Sequence, residues 1–177
     1  MKFIKIKKKD ISKKVIDIVS QYGHNILTDD LYMSQMNLIH HNGTSIYDHC
    51  LNVTCLSVSI ASRLHLDVDY RSLVRGALLH DFFLYDWHEN RPFNHTWNHP
   101  KVALKNAERV FGKLNNKERD IITKHMFPGS ILPPKYLESW IVNIADDISA
   151  VREIRRSIIY SFEKLMIRKR LRKPVIL

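Results

Sequence analysis

Apolar residues recur every three or four positions along most of the chain, which is the spacing of one face of an α-helix. We predict a first short helix over residues 11 to 22, ended by Gly23, and a second over residues 45 to 64. A third is expected over residues 70 to 84, where Leu73, Ala77 and His80 share one face. In the second helix the inward stripe is predicted to be His49, Val53, Leu56, Ile60 and Leu64.

Three more helices follow a loop at residues 91 to 94. Asn98-His99-Pro100 is predicted to open one, because proline suits the first helical position, and Gly112 to end it after Phe111. Its inner stripe would be His99, Ala103, Ala107 and Val110. Asn115 and Glu118 form a capping box for the next, which Pro128-Gly129 ends and which aligns Glu118, Ile121, Ile122 and His125.

The last third of the chain predicts a long helix from Pro134 or Lys135 to at least Ile154. A final amphipathic stretch places basic residues opposite Ile154, Ile158, Phe162 and Leu165. Alternating strand patterns are nearly absent. The sequence therefore predicts an all-α fold, a compact bundle of six or seven helices in a single domain over residues 1–177, with its core at about 40–155.

Composition fits one globular domain, with 177 residues, 45% hydrophobic and 26% charged. The net charge of +10 invites a nucleic-acid interpretation. The distribution weakens it, because residues 1–14 hold seven lysines and one aspartate, and residues 152–177 hold nine basic and two acidic residues. Such basic ends are usually solvated, or they contact phosphates or an anionic membrane surface. With no apolar run long enough for a membrane span and no secretion signal, we expect a cytoplasmic protein.

The two cysteines lie five positions apart in a predicted helix. Five helical steps rise roughly 7.5 Å, which exceeds the Cα separation of about 7 Å that a disulfide tolerates. Cys50 and Cys55 are therefore expected to be reduced, packed thiols, although Cys50 also follows His49 directly and could approach a metal there.

Histidines on apolar helix faces are the main chemical signal of the sequence. His49, His80 and His125 each fall on an inward stripe, and His99 begins a helix. One inward histidine is usually a satisfied core residue, but each unpaired buried imidazole costs a few kcal/mol, so several of them favour a shared partner. Imidazole and carboxylate together are typical ligands of transition metals, and Asp81 and Asp146 offer the carboxylates.

The same residues carry a family resemblance. His49, His80-Asp81 and Asp146 resemble the H…HD…D pattern of the HD superfamily of metal-dependent phosphohydrolases, over roughly residues 40 to 155. The segments Asp86-Trp87-His88-Glu89, His99-Pro100 and His125-Met126-Phe127-Pro128 are similar to those of a bacterial subgroup of uncharacterised HD-domain hydrolases.

The resemblance implies that His49, His80, Asp81 and Asp146 bind one metal. In members with two metals, the aspartate of the pair bridges both ions, and His99 and His125 would hold the second. Without a metal, His99 would be a helix-capping group and His125 a cation at a helix end. The neighbour Asp147 stands where the family usually has lysine, so either aspartate remains a candidate ligand, with the family position favouring Asp146.

The expected reaction is hydrolysis of a nucleotide or other small phosphoester, as a phosphomonoesterase or phosphodiesterase. One or two ions of Mn, Fe, Co, Ni or Zn would activate a water near neutral pH. Asp81 would bridge the ions or accept the water's proton. His88 or His95 would protonate the leaving oxygen, and Tyr85 or Trp87 would stack on a base. Substrate phosphate would be held by four basic residues, unless these are ordinary solvent-facing charges: Arg91, Lys101, Lys105 and Lys124.

Two other function classes remain open. A regulatory or binding HD module with vestigial activity would contact RNA, a membrane or a protein through the basic ends. A di-iron oxygenase would use the same ligands for oxidation.

Overall fold

The computed structural model describes residues 13–39, 43–86 and 95–171, with side chains described through residue 155 except at positions 95 and 96. Over these residues the chain forms α-helices and no β-strand, which confirms the all-α prediction. The α-helices are α1 (Lys13–Leu27), α2 (Asp30–Met33), α3 (Ile46–Arg63), α4 (Tyr70–Leu79), α5 (His95–Phe111), α6 (Asn116–Lys124) and α7 (Leu137–Leu171).

Side-chain caps fix several helix ends where the sequence predicts them. Ser45 accepts a hydrogen bond from the backbone N–H of Asp48 and starts α3. Asn115 and Glu118 form the predicted capping box of α6. Gly112 follows α5 with φ of 78°, a left-handed conformation that favours glycine.

Gly23 does not end α1, which continues to Leu27. The glycine marks instead a close approach to α4, because a Cβ at this position would lie 2.7 Å from Leu78 Cδ1. A short α2 and a 3-10 helix, Ser34–Asn37, then lead towards α3. Neither is long enough to show a hydrophobic period, so the sequence did not predict them.

Helix α4 ends at Leu79 and not at residue 84 as predicted. Tertiary hydrogen bonds explain the early end: the Tyr32 hydroxyl donates to Leu78 O at 2.8 Å. The Asn106 amide of α5 donates to the carbonyls of Phe82 and Phe83, which fixes the segment after the helix. These partners satisfy carbonyls that a longer helix would have bonded internally.

Two other helices differ from their predicted form. Helix α5 begins at His95, so Pro100 lies inside it and not at its first position. Helix α7 begins at Leu137, two or three residues after its predicted start, and continues unbroken to Leu171, in agreement with the predicted extension to at least Ile154. Ile154, predicted to lie on the apolar side of the final amphipathic stretch, is 46% exposed, and its neighbour Glu153 is buried. The predicted side chains at Ile158, Phe162 and Leu165 lie outside the described residues.

The buried face of α3 is also wider than the predicted stripe. His49 and Val53 are buried, but Leu64 is 65% exposed. Because α3 packs against α1, α4 and α7, it buries more than one line of side chains. The face also includes Cys50, Thr54, Ser57, Val58 and Ala61.

Helix α4 occupies the centre of the bundle, and its residues Ser72 to Leu79 are all buried. It packs against α1, α3 and α6. Gly76 permits the approach of α6, because a Cβ there would lie 2.5 Å from Ile121 Cδ1. The same interface holds a buried ion pair between Arg75 Nε and Glu118 Oε1, 2.7 Å apart. Because His80 and Asp81 directly follow this central helix, both are buried in the interior of the bundle. Among the described helices, none is long and apolar enough to cross a membrane.

Candidate metal centre

Six side chains from five parts of the fold converge inside the bundle. His49 comes from α3, His80 and Asp81 follow α4, and His99 lies in α5. The remaining two are His125, directly after α6, and Asp146 of α7. All are buried except Asp146, whose side chain is 15% exposed. The structure thus brings together every histidine and aspartate that the resemblance implies as a ligand.

The first half of the cluster contains His49, His80, Asp81 and Asp146. His49 Nε2 lies 2.9 Å from Asp146 Oδ1. His80 Nε2 lies 3.6 Å from Asp81 Oδ2 and 3.8 Å from Asp146 Oδ1. One ligand atom each of His49, His80 and Asp81 falls within 4.8 Å of the others, a spacing that a single ion could span.

The second half contains Asp81, His99 and His125. Asp81 Oδ1 lies 3.3 Å from His99 Nε2 and 3.5 Å from His125 Nε2. The two imidazole nitrogens are themselves 2.9 Å apart. Asp81 therefore belongs to both halves, with Oδ2 towards His80 and Oδ1 towards His99 and His125, the arrangement that a bridging carboxylate requires.

Backbone carbonyls set the tautomers of two of these histidines. His80 Nδ1 lies 2.7 Å from Ala77 O, and His125 Nδ1 lies 2.8 Å from Ile122 O. A carbonyl only accepts, so each Nδ1 carries a proton and each neutral ring has its lone pair on Nε2. The Nε2 atom of His80 has no hydrogen-bond partner among the described residues and faces carboxylate oxygens. Lone pairs facing lone pairs need a cation between them, so this donor set fits a divalent metal.

Without a metal, the positive charge that balances the carboxylates of the cluster comes from protonated histidines, as the shifted pKa values indicate. Burial lowers the pKa of His49, but hydrogen bonds to Asp146 and Glu153 outweigh it and raise this pKa to about 9. Burial raises the pKa of Asp146, yet the hydrogen bond from His49 and the positive charge of His80, when that ring is protonated on both nitrogens, hold the pKa well below its ordinary value. For His125 burial prevails and lowers the pKa.

Glu153 is a member of the site that sequence reasoning missed. Its Oε1 lies 3.2 Å from His49 Nδ1, on the side of the ring opposite Asp146, and both side chains are buried. Glu153 lies seven residues, about two helical turns, after Asp146 and so shares its helix face, which was a possible signal. It was overlooked because the adjacent Ile154 was predicted to lie on the apolar side of the final amphipathic stretch.

Other contacts support the cluster from outside. Asn143 of α7 donates hydrogen bonds to the carbonyls of His125 and Phe127, which secures the turn after α6. The ring of Phe83 meets His99 edge-on, with centroids 5.8 Å apart, and Tyr85 packs against Phe83. Burial, with the charge of Asp81, raises the pKa of Tyr85.

The remaining predicted site residues lie away from the cluster or beyond the described part of the chain. Asp147 is exposed, whereas Asp146 contacts His49. Lys101 and Lys105 are exposed and Lys124 is half-buried, with no hydrogen bond or ion pair to the cluster among the described residues. Trp87, His88, Arg91 and the side chain of His95 lie outside the described residues. Both cysteines are free thiols; Cys50 is buried beside Ile46 and Phe83.

Comparison with known families agrees with this geometry. The family model of the HD domain matches residues 46–151, which is more than half of the chain and contains all six clustered side chains. The chain therefore belongs to the HD domain family. No curated protein and no solved structure gives a significant match. HD domains bind divalent metals, and the family indicates the metal-dependent phosphohydrolase superfamily without distinguishing the bacterial subgroup.

Proposed function

We propose that this protein is a metal-dependent phosphohydrolase that cleaves a nucleotide or another small phosphoester. The observation that carries the proposal is the buried cluster of four histidines and two aspartates, in which Asp81 is shared by two groups of potential ligands. The family match is independent support for the same chemistry.

The two halves of the cluster suit two ions. His49, His80, Asp81 and Asp146 would hold the first, and Asp81, His99 and His125 the second. Asp146 is the proposed ligand in preference to Asp147, because its carboxylate contacts His49 and that of Asp147 is exposed. Four imidazoles favour Mn, Fe, Co, Ni or Zn over Mg, which prefers oxygen ligands.

A bound divalent cation would supply an activated water near neutral pH and neutralise charge on the phosphoryl oxygens. The chain's own residues orient that chemistry. Asp81 lies between the two halves, with Oδ2 facing His80 and Oδ1 facing His99 and His125. Its carboxylate is therefore placed to hold both ions or to accept a proton from the attacking water. Burial of the cluster excludes bulk water and strengthens each of these electrostatic interactions.

Glu153 is proposed as a positioning residue for His49. A ligand histidine usually gives its second ring N–H to a carboxylate, which fixes the tautomer and raises the basicity of the other nitrogen. Glu153 Oε1, 3.2 Å from His49 Nδ1, occupies this position. It would leave His49 Nε2 for the cation.

The proposed substrate-binding residues are basic residues that lie close to the site histidines in the sequence. Lys101 lies two residues after His99, and Lys124 directly precedes His125. We propose that these lysines, with Lys105 and Arg91, hold the substrate phosphate, and that His88 protonates the leaving oxygen. Tyr85, which is half-buried and packs against the buried Phe83 next to His99, is the proposed stacking partner for a base or another flat substrate group.

The test is hydrolysis by purified protein supplied with Mn²⁺ or Co²⁺, against a panel of nucleotides and phosphodiesters. Asp146→Asn and Asp147→Asn form a matched pair, because the residues are adjacent and only the first contacts the cluster. We expect the first to lose metal and hydrolytic activity and the second to retain both. Wild-type protein that binds metal but hydrolyses no member of the panel, whether to inorganic phosphate or to a phosphomonoester, would contradict the proposal, and Fe-dependent consumption of O₂ in that case would favour an oxygenase.

A further inference from the structure

Helix α7 is apolar on two opposite faces. Its inward face carries Ile141, Val142 and Ala145, which are buried where α7 packs against α3, α4 and α6. The site residues Asp146 and Glu153 lie on this same side. A surface helix normally carries polar residues on its opposite side, and a helix that is apolar all round is usually covered all round.

The opposite face carries a stripe of exposed apolar side chains. They are Leu137 (45% exposed), Trp140 (38%), Ile144 (48%), Val151 (64%) and Ile154 (46%). We call these five residues the outer stripe of α7. Their spacing of three, four, seven and three residues keeps them on one side of the helix, and the gap in the stripe is filled by the exposed Asp147. Contiguous exposed apolar surface of this kind marks an interaction site.

Apolar residues continue in the sequence beyond the outer stripe. Ile158 and Leu165 extend the seven-residue spacing of Leu137, Ile144 and Val151, Phe162 lies four residues after Ile158, and the backbone remains helical to Leu171. At about 1.5 Å per residue, residues 137 to 165 span about 42 Å. A stretch of this length suits a second helix lying alongside.

We propose that the outer stripe of α7 binds the same stripe of a second copy of this chain, with the two helices antiparallel and a two-fold axis near Val151. About that point the sequence mirrors itself by chemical type. In the sequence, positions 144 and 158, both isoleucine, are each seven residues from Val151, and Asp147 and Arg155 are each four residues from it. A two-fold interface requires such self-complementarity, because the same patch serves both copies.

Charge decides between the two orientations. In the sequence, residues 155–171 contain six basic residues and one acidic residue, whereas residues 137–150 contain three acidic residues and no basic one. Of these three, Glu138 is buried beside Lys117 and Asp146 lies in the metal centre, so the exposed Asp147 is the one available to a second copy. A parallel pair would place the two basic segments side by side, while an antiparallel pair with its axis near Val151 places Arg155 of one copy beside Asp147 of the other.

The first test is the mass of the full chain in solution, measured by sedimentation or light scattering at several concentrations. We expect a dimer for the wild type. Val151→Glu should weaken dimerisation by more than about tenfold, because two glutamates would meet at the axis. Ile16→Glu is the matched control, since Ile16 is a 50% exposed apolar residue of α1, and it should leave the dimer intact.

Two further variants keep the proposal open to contradiction if Val151→Glu folds poorly. Asp147→Arg and Arg155→Asp should each weaken the dimer, and the double variant should restore it. Val151→Cys should cross-link to itself under mild oxidation, whereas Arg109→Cys on α5 should not. A monomeric wild type, or equal effects of Val151→Glu and Ile16→Glu, would overturn the proposal. A chain that is monomeric at full length and dimerises only after deletion of residues 1–12 would also overturn it, because that segment would then be what covers the outer stripe.

Discussion

At the scale of single residues, the histidines of the cluster differ in what orients them. His80 and His125 are held by backbone carbonyls, and His49 by the carboxylate of Glu153. Glu153 would therefore affect a bound metal only through His49, whereas Asp81 would contact the metal directly.

Replacement of Glu153 by glutamine should weaken metal binding by about 10- to 100-fold, the range found when such supporting groups are lost. The variant keeps the shape of the side chain but removes the charge that stabilises the Nδ1–H tautomer of His49. Metal affinity measured by competition with a chelator is the readout. Asp147→Asn on the same helix is the control, and equal affinities of wild type and Glu153→Gln would contradict the role.

The sharing of Asp81 between the two halves predicts the pattern of metal loss. Asp81→Asn should reduce occupancy at both positions, because Oδ2 serves the first half and Oδ1 the second. His125→Ala should reduce only the second. Metal analysis of the purified variants would distinguish these outcomes, and identical stoichiometries for Asp81→Asn and His125→Ala would count against a bridging role.

Sequence alone predicted most of this cluster and missed one member for a definite reason. His49, His80, His99 and His125 stood out because imidazoles are rare on apolar stripes. Glu153 did not, because one residue turns a helical position by about 100° and the neighbouring Ile154 was predicted to lie on the apolar side of the helix. Only the packing of α7 against α3 shows which of the two faces inward.

At the scale of helices, starts were easier to predict than ends. Ser45 and Asn115 act locally, within three residues, and so leave a signature in the sequence. The end of α4 depends on Tyr32, which is 46 positions away from Leu78 along the chain. No local pattern encodes such a contact.

Asp69 caps α4 and gives the stability of the protein a dependence on acid pH. Burial raises its pKa, but hydrogen bonds from Ser72 and Arg71 outweigh this and hold the pKa below its ordinary value. A carboxyl with a lowered folded-state pKa stabilises the fold above its unfolded pKa, about 4, and loses that contribution as pH falls through the folded value.

Asp69→Ala should therefore lower the free energy of unfolding by about 1 kcal/mol at pH 7, the usual worth of an N-cap, and by less at pH 3. Denaturant unfolding at several pH values measures both effects. Asp69→Asn, which keeps a capping oxygen without the charge, should lose the pH dependence and little else. A constant difference between wild type and Asp69→Ala down to pH 2 would contradict this account.

At the scale of the whole molecule, the candidate metal centre and the fold depend on each other. His49 and Asp146 are 97 positions apart in the chain and 2.9 Å apart in space. The cluster exists only when α3, α4, α5, α6 and α7 have packed together. A metal that binds there binds the folded state alone.

Metal should therefore raise the melting temperature. At a free metal concentration of 100 times the dissociation constant, the gain is about 2.7 kcal/mol, which corresponds to several degrees for a chain of this size. Thermal unfolding with Mn²⁺ or Zn²⁺, and again after a chelator, measures the shift. His49→Ala should show a much smaller response, and an equal response in that variant would place the bound metal elsewhere.

The two kinds of support for the histidines also set how readily the site can change over evolutionary time. The carbonyls of Ala77 and Ile122 belong to the main chain, so no single codon change removes them, and the rings of His80 and His125 keep their orientation through most substitutions nearby. His49 relies on one glutamate codon beyond the family-matched region. Natural variation in the metal preference of such a protein is thus expected to begin at Glu153, while the two anchored rings stay as they are.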